Sequence, residues 1–108
     1  MDRRTPGQRL DASQLGAELG KRATLVQFSS AFCQPCRATR RTLGEVAGMV
    51  DGVAHVEVDA ESHLALVREL DITKTPTVLV LDAEGEVVRR ASGQPRTVDV
   101  VAALAHAL

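Results

Sequence analysis

The feature that most limits the folds open to this chain is the run Thr77-Val78-Leu79-Val80-Leu81. A strand with one wet face alternates apolar and polar side chains, so an unbroken β-forming run of this length fits a strand covered on both faces. Asp82-Ala83-Glu84-Gly85 follows as a turn, and Glu86 to Ala91 returns as a second strand. So short a connection permits an antiparallel hairpin and excludes a parallel crossover, which takes a dozen residues or more. The covered strand is therefore central, and the rest of the chain must supply a layer above it and another below.

That supply is visible as an alternating series of elements. Asp11 and Gln14 stand at capping-box spacing, Leu15 and Leu19 are a turn apart, and Gly20 is a stop, which predicts a short first helix. Residues 24–28, TLVQF, read as a strand. From Gln34 to Val50 the positions Leu43, Val46, Ala47 and Val50 recur at helical spacing, although Gly44 and Gly48 weaken the pattern. Residues 53–58, VAHVEV, alternate, with Ala54, Val56 and Val58 on one face and His55 and Glu57 on the other. Ser62 can cap a helix carrying Leu64, Val67 and Leu70 and ending near Asp71, and Thr97 to Leu108 reads as a last helix with Val101, Leu104, Ala105 and Leu108 inward. The order α, β, α, β, α, β, β, α, read as βαβ units followed by ββα, predicts an α/β fold. Its mixed sheet has four or five strands, with helices on both faces. A fifth strand, from Thr5 to Leu10 at an edge, is poorly marked because it contains Pro6 and Gly7.

A chain of 108 residues suits one domain, read as residues 10–108 behind a flexible basic arm, residues 1–9, with Arg3, Arg4 and Arg9. A net charge of -1 argues against a large nucleic-acid surface, and the absence of Trp and Tyr removes the usual base-stacking platforms and membrane-interface anchors. No stretch approaches the roughly 20 apolar residues of a membrane span, and MDRRTPGQRL lacks the apolar centre of a secretory signal. As written the chain reads as a cytoplasmic monomer without membrane contact. The alternative is an extracytoplasmic domain whose N-terminal membrane anchor has been removed, the arginines being what remains beside it.

Both cysteines fall in Phe32-Cys33-Gln34-Pro35-Cys36, after a strand and at the start of a helix. If the helix begins near Gln34, the i, i+3 spacing puts both sulfurs at one end of one face, within reach of a disulfide. Pro35 is tolerated because first-turn amides have no helical partner. Those same amides and the positive end of the helix dipole stabilise a thiolate on Cys33 and make it the nucleophile. Cys36, a turn deeper, would resolve a mixed disulfide by attacking Cys33. Two other readings compete. A structural zinc site would need four ligands, and His55, His63 and His106 lack the paired spacing of a finger, so no metal is expected. A purely structural disulfide would close a very short ring in a chain large enough to fold without one.

With these motifs the chain resembles the thioredoxin family over roughly residues 10–108. Cys33-Gln34-Pro35-Cys36 matches the family's C-x-P-C site, and Thr75-Pro76, just before the TVLVL run, matches the proline that faces the cysteines and follows a cis peptide bond. The resemblance implies that the outward-turned carbonyl and N–H of Thr75 pair with an extended substrate backbone, and that Gly93 lets that backbone approach. It further implies a thiol–disulfide oxidoreductase that reduces protein disulfides. Its substrates are disulfide-containing proteins, its electrons come from an external thiol or reductase donor, and it has no bound cofactor. The alternatives are a reductase dedicated to one partner and a redox-switched binding module.

Several positions depart from the family pattern. Gln27 stands in the first core strand where thioredoxins carry a buried Asp, and an amide cannot take the resolving thiol's proton. Phe32 replaces the Trp before the first cysteine and Gln34 the Gly between them. Ser29 stands where many members have an aromatic, and Arg41 where many have a helix-kinking proline. His55 lies near the place of a family Lys beneath the site, which makes it, with Gln27, a candidate for proton relay or tuning; His63 and His106 read as surface residues. Arg37, Arg40 and Arg41 read first as a solvated helix face and second as a positive field for Cys33 or for an acidic partner.

Overall fold

The computed structural model describes residues 8–108. Most of the expected arm lies outside the described residues, but Gln8 and Arg9 belong to the domain. The Gln8 carbonyl accepts a hydrogen bond from the Val87 N–H at 2.9 Å, and Arg9 forms an isolated antiparallel bridge with Glu86. Leu10 then donates its N–H to the Gly85 carbonyl at 2.9 Å and is itself buried. Gly85 has φ +85°, and a Cβ there would collide with the Leu10 carbonyl oxygen, so the hairpin turn needs glycine for its φ and for this approach.

The elements in chain order are α1 (Ala12–Leu15), β1 (Ala23–Ser29), α2 (Gln34–Met49), β2 (Val53–Asp59), a 3-10 turn (Ala60–Ser62), α3 (Leu64–Glu69), β3 (Thr77–Asp82), β4 (Val87–Ser92) and α4 (Thr97–Ala105). The sheet runs β2-β1-β3-β4, with β1 and β2 parallel and the other neighbours antiparallel. Among the described residues it has four strands; the expected fifth, Thr5 to Leu10, lies partly outside them, and its described part forms only the Arg9 bridge. Of the two expected βαβ units only β1-α2-β2 is a parallel crossover. The connection through α3 carries the chain to the other side of β1, where β3 runs antiparallel to it. β3 is central, as its apolar run requires.

Alternation along the strands builds two cores. Val26, Phe28, Val58, Leu79 and Leu81 pack with Leu15, Leu66 and Leu70 on the side of α1 and α3. Leu25, Val78 and Val80 pack with Leu43 and Val46 of α2 and with Val100 and Leu104 of α4 on the other. This is the thioredoxin-like α/β architecture, with helices on both faces of a mixed sheet.

Three helices differ in detail from the sequence pattern. In α1 the Asp11–Gln14 capping box is present, but the helix stops at Gly16, with φ +70°, one turn before Gly20. In α3 the Ser62 hydroxyl bonds the Asp59 carboxylate and caps nothing; the helix starts after His63, burying Leu66 and Leu70 and leaving Leu64 exposed. α4 turns Val100, Ala103, Leu104 and Ala107 inward and leaves Val101, Ala105 and Leu108 outside. Its sequence is apolar all round, so its own periodicity cannot select a face, and packing on α2 decides. Leu104→Ala should therefore destabilise the fold by about 2–5 kcal/mol. Val101→Ala should stay within about 0.5 kcal/mol in the same urea titration.

Candidate active site

β1 delivers the chain to the site at its C-terminal end. After Ser29 and Ser30 the backbone turns through Phe32, which has φ +59° and a fully exposed ring, and α2 begins. Cys33 is the N-cap of α2, extended at φ -95° and ψ 101°, and Pro35 sits in the first turn where no amide is missed. The Cys33 sulfur accepts the Cys36 N–H at 3.2 Å. The two cysteines are joined in a disulfide with Cα atoms 5.2 Å apart. Cys33 is partly exposed, whereas Cys36 keeps only 1 % of its surface. Among the described residues no group of three or more His, Cys, Asp or Glu side chains is arranged to hold a metal ion.

Beneath Cys36 lies a polar cluster in an otherwise apolar layer. Gln27 is fully buried on β1, and its Nε2 donates to the Cys36 carbonyl at 2.7 Å and to the Ser29 hydroxyl at 3.0 Å. Its Oε1 meets Nε2 of His55 on β2 at 3.1 Å. Turning the amide over would press its oxygen against the Cys36 carbonyl, so the orientation is fixed. The amide oxygen can only accept, and His55 must therefore carry a proton on Nε2. Neither Gln27 nor Nε2 of neutral His55 can then act as a base toward Cys36. Burial is the main force pushing the His55 pKa below its ordinary value; the nearby Arg40 adds to this and Glu57 opposes it.

Glu57 lies opposite Gln27 in the parallel register. Arg40 of α2 grips its carboxylate through two bonds, at 2.6 and 2.8 Å. That bond is the main cause of a Glu57 pKa below the usual carboxylate range. Arg40, grouped by sequence with the solvated arginines, is thus committed to Glu57. Ser29, Ser30, Ala31, Arg40, Glu57, Asp59 and Glu61 line an open cleft of about 360 Å³ beside the cysteine loop. No local pattern announces this cleft, because it depends on the β1–β2 register.

The Thr75-Pro76 segment emerges at the same end of the sheet, since Phe28 of β1 pairs with Thr77 of β3. Its peptide bond is cis. The Thr75 hydroxyl bonds the Ser30 hydroxyl at 2.7 Å, tying this loop to the one that carries Cys33. Gly93, with φ +89°, donates its N–H to the Pro76 carbonyl at 2.8 Å. Arg90, buried on β4, donates to the carbonyls of Leu70 and Asp71 at the end of α3 and so fixes the start of the same loop. Gln34 is exposed beside the disulfide. His63 bonds the Asp59 carbonyl through Nδ1, and His106 is exposed at the end of α4; neither belongs to this cluster.

A His pKa depressed by folding makes the unfolded chain the better proton binder between the two pKa values, so stability is complete above the unfolded value and is lost as pH falls through the folded one. The protein should therefore lose stability as pH falls below the ordinary His value of about 6.5, the side on which the shift lies. His55→Gln should flatten that part of the profile in urea titrations. A profile unchanged by the substitution would show that His55 does not titrate with folding.

Comparison with known proteins gives the same picture as the geometry. A thioredoxin-like domain profile matches residues 11–108. The thioredoxin of Mycoplasma genitalium is 27% identical over 77 residues, spanning 71% of this chain and 76% of its own. The thioredoxin of Staphylococcus saprophyticus is 31% identical over 74 residues, spanning 67% and 70%. In structure, a mutant thioredoxin from Halobacterium salinarum superposes with a TM-score of 0.73 at 18% identity, covering 81% of this chain and 75% of that one. The chain belongs to the thioredoxin-like family, and its Cys33–Cys36 pair is the redox couple of a thiol–disulfide oxidoreductase.

Proposed function

We propose that this protein reduces disulfides in other proteins, with Cys33 attacking and Cys36 resolving. The observation that supports this assignment best is the difference between the two sulfurs: Cys33 is partly exposed and caps α2, whereas Cys36 is buried one turn in. An amide bond already made to the disulfide sulfur becomes stronger to a thiolate, and the helix dipole acts in the same sense. The Cys33 thiolate attacks one sulfur of the target disulfide, that bond breaks, and the departing sulfur takes up a proton. Cys36 then loses its proton and attacks the Cys33 sulfur, releasing the second target sulfur as a thiolate and leaving the Cys33–Cys36 disulfide. An external thiol donor restores the dithiol by the reverse exchange.

The target chain lies along Thr75-Pro76 and Gly93. The Ser30–Thr75 bond holds that segment to the cysteine loop, and the space above Gly93 is open, since a Cβ there would meet nothing within 4 Å. Phe32 and Gln34 flank the reacting sulfur and contact the target beside its disulfide.

Gln27 favours a second reading, a reductase dedicated to one partner. With both amide protons engaged and no carboxylate at this position, resolution by Cys36 has no buried base to draw on. A long-lived mixed disulfide suits a specific partner better than rapid general turnover.

Cys36→Ser should trap targets as stable mixed disulfides and Cys33→Ser should trap none. Equal rates of alkylation of the two reduced cysteines near pH 7 would reverse the assignment. In single-turnover exchange with a disulfide peptide, Gln27→Asp should speed mixed-disulfide decay by about a hundredfold, the lower end of the range for a positioned base. Formation should change much less, and stability should fall because a carboxylate replaces a satisfied amide. Decay that is already fast and unaffected by Asp would make Gln27 a purely structural residue.

A further inference from the structure

Two cations on α2 take no part in the exchange step or in the buried cluster. Arg37 and Arg41 follow Cys33 at i+4 and i+8, so all three lie on one stripe of the helix. At about 1.5 Å of rise per residue the arginines stand about 6 and 12 Å along the axis from the nucleophile. Both are exposed, and neither takes part in the ion pairs found among the described residues, which are Arg40–Glu57 and Arg96–Asp99. Across the cysteine loop the surface has the opposite sign: Asp59 and Glu61 line the cleft, and Glu61 accepts the Ala31 N–H. In the chain Phe32 joins Ala31, bonded to Glu61, to the Cys33 cap of α2; it is 99% exposed and held at φ +59°, where a bulky residue is strained.

The geometry points to a docking surface for an acidic disulfide protein, one that presents an apolar contact to Phe32 and carboxylates along α2 on the Arg37–Arg41 side of its disulfide. This rests on the proposed reduction of protein disulfides and names the class of partner for it. Charge complementarity identifies the occupant. Carboxylates on the α2 side are attracted, and carboxylates on the Asp59–Glu61 side are repelled, so an acidic segment is accepted in one orientation only. Arg40 adds nothing to this surface because Glu57 neutralises it. A basic target would meet the reverse pattern and be turned away from α2. The two arginines also raise the positive potential at Cys33, and the test separates that effect from docking.

Three synthetic disulfide peptides, identical except for two flanking positions filled by Asp, Ser or Lys, are offered to the reduced full chain, and the rate of mixed-disulfide formation is followed. The Asp peptide should react about tenfold faster than the Lys peptide at low salt, and the gap should close near 1 M salt, where the screening length is about 3 Å. Arg37→Glu with Arg41→Glu should reverse the order, and the milder Arg37→Gln with Arg41→Gln should abolish the preference. The ratio of peptide rates is read within each variant, so a change in Cys33 reactivity cancels. Equal wild-type rates for the Asp and Lys peptides, or an order unchanged by charge reversal, would overturn the docking surface. Peptides left unreacted while a small aromatic disulfide is reduced would overturn it alone. Failure with the small disulfide as well would overturn the exchange reading beneath it.

Discussion

The register in which two strands meet β1 decides what stands at the end of the sheet. β2 joins one edge in parallel, setting Gln27 beside Glu57 and Ser29 beside Asp59, and β3 joins the other edge antiparallel, setting Phe28 beside Thr77. These pairings bring the Ser30–Cys33 loop, the Thr75-Pro76 loop and the acidic cleft to one place. Side chains alternate with a period of two, so a slip of one residue would carry Gln27 to the opposite face, where Val26 and Phe28 pack among α1 and α3. Register is secured by burial, because every residue of β1 is buried.

Gln27 shows how stability and reactivity bear on one another here. A carboxylate at a fully enclosed position would have to give up its hydration, whereas the amide matches the donors and acceptors around it: the Cys36 carbonyl, the Ser29 hydroxyl and the His55 ring. The start of α2 is thereby fastened to the middle of the sheet by a group with no charge. The negative charge of the neighbourhood sits one strand away on Glu57, nearer solvent and balanced by Arg40. The cysteine pair thus has a neutral floor and charged flanks.

Much of this was legible in the sequence because it depends on local chemistry. Thr77-Val78-Leu79-Val80-Leu81 reads as a central strand because both its faces are covered, and Cys33-Gln34-Pro35-Cys36 marks the start of a helix because its residues suit a first turn. The inward face of α4 was not legible, since Val98, Val101 and Leu108 are as apolar as the residues that pack. The partner of Arg40 was hidden for another reason. It lies 17 positions away on a parallel strand, and no local pattern reports such a pairing. The bond between Gln27 and His55 is of the same kind: each residue draws notice alone, and only the strand register makes them one unit. The early end of α1 reflects competition between two glycines, which propensity cannot rank.

Arg90 ties together parts that would otherwise move separately. Its guanidinium, anchored on β4, holds the Leu70 and Asp71 carbonyls just past α3, and Gly93, just past the end of β4, holds the carbonyl of Pro76. The Thr75-Pro76 loop is therefore fixed at its beginning and near its end by the same hairpin. A short helix such as α3 would ordinarily fray from its end, but here fraying has to break bonds to the edge strand β4. The Thr75-Pro76 loop behaves as part of the sheet. On the proposed role of this loop in holding a substrate chain, an arriving polypeptide meets a preformed edge, and the conformational adjustment on binding falls to the incoming chain.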